Sequence, residues 1–264
     1  MNFTGKTFWI TGASSGMGKA VAVALAKFNT RIIISGRDND SLQITAGEIE
    51  KNGSRARIEV LDMLDTASIV RTAKKVLSDK EKIAGLYHFA GISQRSLLIE
   101  TPLENTRKIM EINFFGVVAL TNIILPSMIK NGEGQIAVAS SLVGKFGFPY
   151  RSAYASSKHA LHGYFETLLA ENYDKGIRIS MLMGGRIQTN ISKFSLDKDG
   201  CEHGKMDEGQ AKGISPEKAA QQILKGLKKD RREVPVGGKE LIMLKLKRFF
   251  PAIHSRLIRK LNPK

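Results

Sequence analysis

The stretch TGASSGMG, residues 11–18, limits the possible folds more than any other part of the chain. It lies between a β-branched apolar run, TFWIT at 7–11, and a helical pattern, AVAVALAKF at 20–28. Strand, glycine turn and helix in that order open a βαβ unit. Gly12, Gly16 and Gly18 permit positive φ and close backbone approach. The free amides at the start of the next helix favour an anionic pyrophosphate. A glycine pattern alone is weak. Its place after the first strand is the context of a dinucleotide site, with Ser14, Ser15 and Met17 on the same turn.

The alternation continues to about residue 236. Strand-like runs fall at 31–35, 55–62, 85–91, 135–141, 177–183 and 232–237. Helical patterns fall at 39–52, 66–77, 102–113, 114–130, 152–173 and 216–229. Apolar strands separated by helices predict a doubly wound Rossmann-like α/β fold, a three-layer sandwich on a seven-stranded parallel sheet. Such sheets bind ligands outside the carboxyl ends of their strands.

The 264 residues suit one domain, 1–237, followed by a tail, 238–264. Cys201 is the only cysteine, which excludes a disulfide framework and fits a reducing cytoplasm. No uninterrupted apolar run of about 18 residues and no secretory signal is visible, so a cytoplasmic protein is expected. The net charge is +16. Nucleic acid, an anionic membrane surface and phosphorylated ligands fit that charge, as does a generally basic surface. No nucleic-acid motif accompanies it, so no nucleic-acid partner is expected. No metal is expected either.

Tyr154 and Lys158 stand four apart in SAYASSKHAL and so share one face of a helix. A nearby ammonium favours phenolate, so the spacing predicts a lowered tyrosine pKa. Such a tyrosine can exchange a proton with a substrate oxygen. Ser141 ends the 135–141 strand and can hydrogen-bond the same oxygen. Ser140 competes for that role, but alternation points neighbours on a strand to opposite faces.

T-G-x-x-x-G-x-G at 11–18 and Tyr-x-x-x-Lys at 154–158 occur with Asp62, Ala90-Gly91, Asn113 in MEINFFG and Ser141 in SSLVG. In these motifs the chain resembles the short-chain dehydrogenase/reductase family, from about residue 5 to residue 236. The resemblance implies hydride transfer between a nicotinamide cofactor and a carbonyl or alcohol. It implies Tyr154 as general acid/base, supported by Lys158. It selects Ser141, whose 13-residue separation from Tyr154 is the family's usual one. Asn113 would hold a water linking Lys158 to solvent. Asp62 and Met63 would contact the adenine, Ala90 and Gly91 the cofactor, and Gly185, Ile187 and Thr189 the nicotinamide end. A homodimer or homotetramer built on helices 102–130 and 152–173 is also implied. GISQRSLLIET (91–101) and PYRSAYASSKHAL (149–161) are similar to the membrane-associated animal reductases numbered member 7 and 7B of that family. That likeness implies a hydrophobic lipid-, steroid- or retinoid-like substrate.

Two positions depart from the family pattern. His88-Phe89 stands where Asn-Asn is common, and Gly184-Gly185 where Pro-Gly is common. His88 is expected to be structural. The second strand ends in IIISGRD, with Gly36 and Arg37 where relatives using NAD carry an acid. Glycine leaves room for a 2′-phosphate and a guanidinium can bind it, so NADP(H) is preferred over NAD(H). The alternative leaves Arg37 solvated and gives the ribose to Asp38 or Asp40. A non-catalytic NADP-binding sensor or scaffold is the rival from another class, but it would not need Ser141, Tyr154 and Lys158.

Residues 189–215 are polar and aperiodic, which fits either a substrate lid or disorder. Arg95, Arg151 and Arg186 fall near the predicted mouth. They can receive a substrate anion, Arg151 foremost beside Ser141 and Tyr154, or serve solubility and ion pairing. The tail carries eight Lys or Arg between 239 and 264, and Glu240 as its one acid. Ile242, Leu246, Phe249, Ile253, Leu257 and Leu261 form a helical stripe, which Pro251 is expected to break or kink. A basic amphipathic helix fits the inner face of a membrane. Packing on the domain or on a second subunit fits as well.

Overall fold

The computed structural model describes residues 1–261; the end of the predicted tail, 262–264, lies outside the described residues. The strands are β1 (Thr7–Thr11), β2 (Arg31–Ser35), β3 (Arg55–Ile58), β4 (Ile83–His88), β5 (Gly134–Ser141), β6 (Ile177–Gly184) and β7 (Glu233–Val236). The helices are α1 (Gly16–Ala26), α2 (Asn39–Lys51), α3 (Thr66–Ser78), α4 (Leu103–Met110), α5 (Gly116–Lys130), α6 (Ser152–Asn172), α7 (Glu208–Ala211), α8 (Pro216–Lys228), α9 (Ile242–Phe249) and α10 (Pro251–Lys260).

All seven strands pair in parallel, in the order β3-β2-β1-β4-β5-β6-β7. This is the predicted Rossmann-like sheet. Its order reverses between β1 and β4, which opens the crevice where such sheets bind ligands. Alternation along the strands feeds two separate apolar layers. Phe8, Ile10, Ile32 and Ile34 pack with Val21, Leu42 and Ile223 from α1, α2 and α8. Trp9, Ile33 and Leu86 pack with Ile69, Leu120 and Phe165 from α3, α5 and α6. Burial on both faces explains why the strands read as continuous apolar runs.

The helix starts are set locally. The Asp38 carboxylate accepts from the amides of Asp40 and Ser41, Asp65 from Ser68, and the Ser215 hydroxyl from Lys218. Each satisfies an orphan amide of the first turn.

Two boundaries differ most from those predicted. The strand at 55–62 is shorter, since β3 lies at the sheet edge and pairs with β2 only as far as Ile34–Ile58. No break separates residues 113 and 114. A π-helical turn, Glu111–Phe115, joins α4 to α5 instead. Gly116 permits the continuation, because a β-carbon there would stand 2.3 Å from the Met63 carbonyl oxygen. The resulting run, Leu103–Lys130, is long and apolar enough to cross a membrane, but it packs against α3, α6 and the sheet as a core helix. Residues 189–215 are folded and contain α7, which carries no apolar periodicity to announce it. The tail breaks at Phe250 as expected from Pro251, which opens α10.

Candidate active site

The glycine turn lies against the end of β4. Gly12 has φ +68°, and a β-carbon there would stand 2.5 Å from the Ala90 amide nitrogen. A β-carbon on Gly18 would stand 2.2 Å from the Gly12 carbonyl oxygen. Only glycine fits either place, so α1 starts as a bare N-terminus at the crevice. Thr189, beyond β6, approaches the same turn at Gly16. Its hydroxyl accepts from Gln210 Nε2 at 3.0 Å. Ile187 is buried and bridges Ile214, and Gly185 donates its amide to the Val236 carbonyl. Ser14, Ser15, Gly16 and Met17 complete the turn and the first residues of α1.

At the end of β2, Gly36 is followed by Arg37, which is exposed and forms no ion pair among the described residues. The Asp38 carboxylate is committed to capping α2. Asp62 accepts from the Leu64 amide at 2.9 Å, and Met63 beside it is buried.

Tyr154 and Lys158 project from the first two turns of α6. The Lys158 ammonium lies 5.6 Å from the Tyr154 ring centroid and donates to the Ala139 carbonyl at 2.8 Å. Burial pushes Lys158 down to about 8. For Tyr154, burial is the largest influence and pushes the hydroxyl above its ordinary value. The Ser141 hydroxyl and the positive charges of Arg151 and Arg95 pull the other way. The lowering that the Tyr-Lys spacing predicts does not appear: desolvation dominates, and the opposing pull comes from Ser141, Arg151 and Arg95 rather than from Lys158.

Ser141 and Ser140 part as strand alternation requires. Ser141 Oγ donates to the Gly184 carbonyl at 3.3 Å and accepts from the Val143 amide at 3.3 Å. Ser140 Oγ faces His162 Nε2 at 3.0 Å. Asn113 sits in the π turn, wholly buried. Its amide exchanges hydrogen bonds with the backbone of Ile92 and donates to Ser157 Oγ at 3.0 Å. A β-carbon on Gly91 would stand 3.0 Å from Asn113 Oδ1 and 3.6 Å from Lys158 Nζ, so these three residues are packed together. His88 is buried on Thr121 Oγ1 at 3.0 Å. Burial, followed by the charge of Lys158, pushes it down to about 3, so it is neutral and structural.

Two residues that carry this site give no signal in the sequence. Asp207, from the 189–215 segment, accepts from Arg95 Nε at 3.0 Å and from Arg151 NH2 at 3.0 Å. Gln94 is wholly buried. Its Oε1 accepts from the Ala153 amide at 2.8 Å, at the start of α6. Its carbonyl accepts from Arg95 and Arg151 at 2.7 and 2.8 Å. Of the three arginines near the predicted mouth, two are thus in buried ion pairs, and Arg186 is exposed.

The sequence model described as "short chain dehydrogenase" matches residues 6–200. The chain belongs to the short-chain dehydrogenase/reductase family. It is 36% identical over 264 residues to Dehydrogenase/reductase SDR family member 7B of Danio rerio, covering 97% of this chain and 85% of that relative. Among solved members of the family, a short-chain dehydrogenase from Streptomyces avermitilis superposes with a TM-score of 0.80 at 25% identity, covering 97% of this chain and 96% of the other. An alcohol dehydrogenase from Thermococcus sibiricus, solved with 5-hydroxy-NADP, gives a TM-score of 0.77 at 28% identity, covering 89% and 97%. Membership places the chain among oxidoreductases.

Proposed function

We propose that this chain is an NADP(H)-dependent oxidoreductase acting on a carbonyl or secondary alcohol of a hydrophobic substrate, with Tyr154 as general acid/base. The observation that carries this reading is the convergence of Tyr154, Ser141 and Lys158 beside the glycine turn. When bound, the nicotinamide supplies hydride in reduction and accepts it in oxidation.

In reduction, Tyr154 gives its proton to the carbonyl oxygen, and Ser141 donates a hydrogen bond to that oxygen as charge develops. Lys158, pushed down to about 8 by burial, returns the proton to Tyr154. Asn113 fixes Gly91 and Ile92 against Lys158 and, as in the family pattern, serves the water through which the proton arrives. The turn formed by Gly12, Ser14, Ser15, Gly16, Met17 and Gly18 takes the pyrophosphate. Asp62 and Met63 take the adenine, Ala90 and Gly91 the adjoining ribose, and Gly185, Ile187 and Thr189 the carboxamide. The free guanidinium of Arg37 beside Gly36, with Asp38 occupied in capping, supports NADP(H) over NAD(H).

Residues 1–237 form the catalytic domain in this reading, and 189–215 its substrate lid. The tail from 238 onward seats the enzyme on an anionic membrane face, on the cytoplasmic side. In support, Ile242, Phe249, Phe250, Ile253, Leu257 and Leu261 are all exposed, while α10 turns His254 inward onto Phe146 at 4.6 Å. Phe146 adjoins the loop 147–150, which lines one cavity with Leu97 and Leu98. Leu98 and Ile99 are exposed as well, a second apolar patch at the rim of that cavity. Assembly as a homodimer or homotetramer uses the outer faces of α4, α5 and α6, beside the exposed Phe115 of the π turn that joins α4 to α5.

The test is NADPH consumption over a panel of steroid ketones, retinal, fatty aldehydes and acyl-dihydroxyacetone phosphate, with Tyr154→Phe as the blank. Tyrosine-dependent turnover on one class supports the reading and names the substrate class. Tight NADPH binding without tyrosine-dependent turnover on any of them would favour a cofactor sensor.

A further inference from the structure

Three charged side chains meet at the start of α6, where Arg151 stands three residues before Tyr154. Arg95 comes from the loop after β4, Arg151 from the residue before α6, and Asp207 from the 189–215 segment. The side chains are 6%, 9% and 16% exposed. Both guanidiniums bind the same carboxylate. Two buried cations share one anion, which leaves one unit of positive charge uncompensated beside Tyr154. Burying net charge is costly, and a fold that needed only an ion pair would be better served by one arginine.

We propose that Asp207 is a positioning residue that sets how much positive charge Arg95 and Arg151 present to Tyr154, so that the seating of residues 189–215 governs proton transfer. This rests on the reading of Tyr154 as the proton-transfer group.

The geometry makes the coupling direct. Among the described residues, the Asp207 contacts are the only ion pairs that tie 189–215 to the rest of the chain. The same segment is also pinned by backbone bonds, Arg95 N to the Leu196 carbonyl at 2.7 Å and Leu196 N to the Ser93 carbonyl at 2.9 Å. The Gln94 carbonyl also accepts from both guanidiniums and so holds them from a second side. Withdrawing Asp207 therefore leaves two positive charges where there was one. The other groups facing Tyr154 are the Ser141 hydroxyl from β5 and Lys158 from α6, with neutral His88 of β4 behind Lys158. Both arginines favour the ionised tyrosine, and Tyr154 in turn favours the charged form of Arg151.

The test is a charge series read by pH. Asp207→Asn takes the net charge of the trio from +1 to +2, Arg151→Gln takes it to zero, and the double variant restores +1; Arg151→Lys keeps it. Two readouts are used: the alkaline limb of the NADPH-dependent pH–rate profile, and a phenolate absorbance titration from which the Tyr154→Phe spectrum is subtracted. The limb and the titration should move to lower pH in Asp207→Asn and to higher pH in Arg151→Gln, each by about one unit. The double variant and Arg151→Lys should return to the wild-type position. A merely structural trio would lower activity without ordering the titrations by charge. Unmoved titrations across the series, with turnover still abolished by Tyr154→Phe, would overturn the proposal and leave the function standing. Turnover that survives Tyr154→Phe would overturn the function instead, and the absorbance titration would still decide the charge coupling.

Discussion

The Lys158 ammonium stands 5.6 Å from the ring centroid of Tyr154, yet its hydrogen bond goes to the carbonyl of Ala139 at 2.8 Å. The lysine is thus anchored to β5, with its ammonium over the tyrosine ring rather than hydrogen-bonded to the hydroxyl. Burial holds it down to about 8 from its ordinary 10.5.

That depression has a thermodynamic consequence. Between about pH 8 and 10.5 the unfolded chain keeps the Lys158 proton and the folded chain has lost it. Stability contributed by this group therefore rises with pH across that window, by at most on the order of 1.4 kcal/mol per unit. Denaturant unfolding of wild type and Lys158→Met at several pH values should show the difference changing in wild type's favour as pH rises through it.

His88 has the same sign at lower pH. Its folded value of about 3 lies below the ordinary 6.5, and its Nδ1 is buried without a hydrogen-bond partner. As pH falls from 6.5 towards 3, the unfolded chain gains a proton that the folded chain refuses, so stability is lost. Wild type should lose stability relative to His88→Asn over that range, again by up to roughly 1.4 kcal/mol per unit. A pH-independent difference in paired unfolding curves would contradict the buried neutral imidazole.

Arg37 makes a prediction about cofactor choice. Charge-assisted hydrogen bonds contribute about 1.5–3 kcal/mol, so Arg37→Ala should weaken NADPH binding roughly 10- to 100-fold. NADH, which lacks the 2′-phosphate, should bind as before. Calorimetric titration of both cofactors against both proteins checks this. Equal losses for the two would assign Arg37 to something other than the phosphate.

The tail should carry the membrane contact. Wild type should sediment with vesicles rich in anionic lipid and be released by salt. Phe249→Ala with Phe250→Ala should lower the partition coefficient by about tenfold or more, given the apolar area each ring would bury. Binding that depends neither on these rings nor on lipid charge would remove the tail from that role.

Much of this architecture was legible because the residues concerned act locally. TFWIT, RIIIS and IRISMLM read as strands since both faces of the sheet are covered; the caps Asp38, Asp65 and Ser215 emerge only in the structure. The spacing of Tyr154 and Lys158 placed them on one helix face, while their role and the choice of Ser141 over Ser140 came from the family resemblance. The π turn at Glu111–Phe115 was not legible, because EINFFG reads equally well as a simple boundary between two helices. Asp207 and Gln94 escaped for a different reason. Asp207 meets its arginines across 56 and 112 residues, and Gln94 meets the start of α6 across 59, and no local pattern encodes such distances. Their side chains became meaningful only once the topology brought the loop after β4, the start of α6 and the 189–215 segment together.

The most direct test of the central claim is a comparison of wild type with Tyr154→Phe, measuring NADPH affinity and carbonyl-dependent NADPH oxidation on the same preparations. Loss of the proton donor should lower turnover about 100-fold or more while the Kd for NADPH stays the same. Turnover that survives the substitution at a wild-type level would contradict the assignment of Tyr154 as general acid/base.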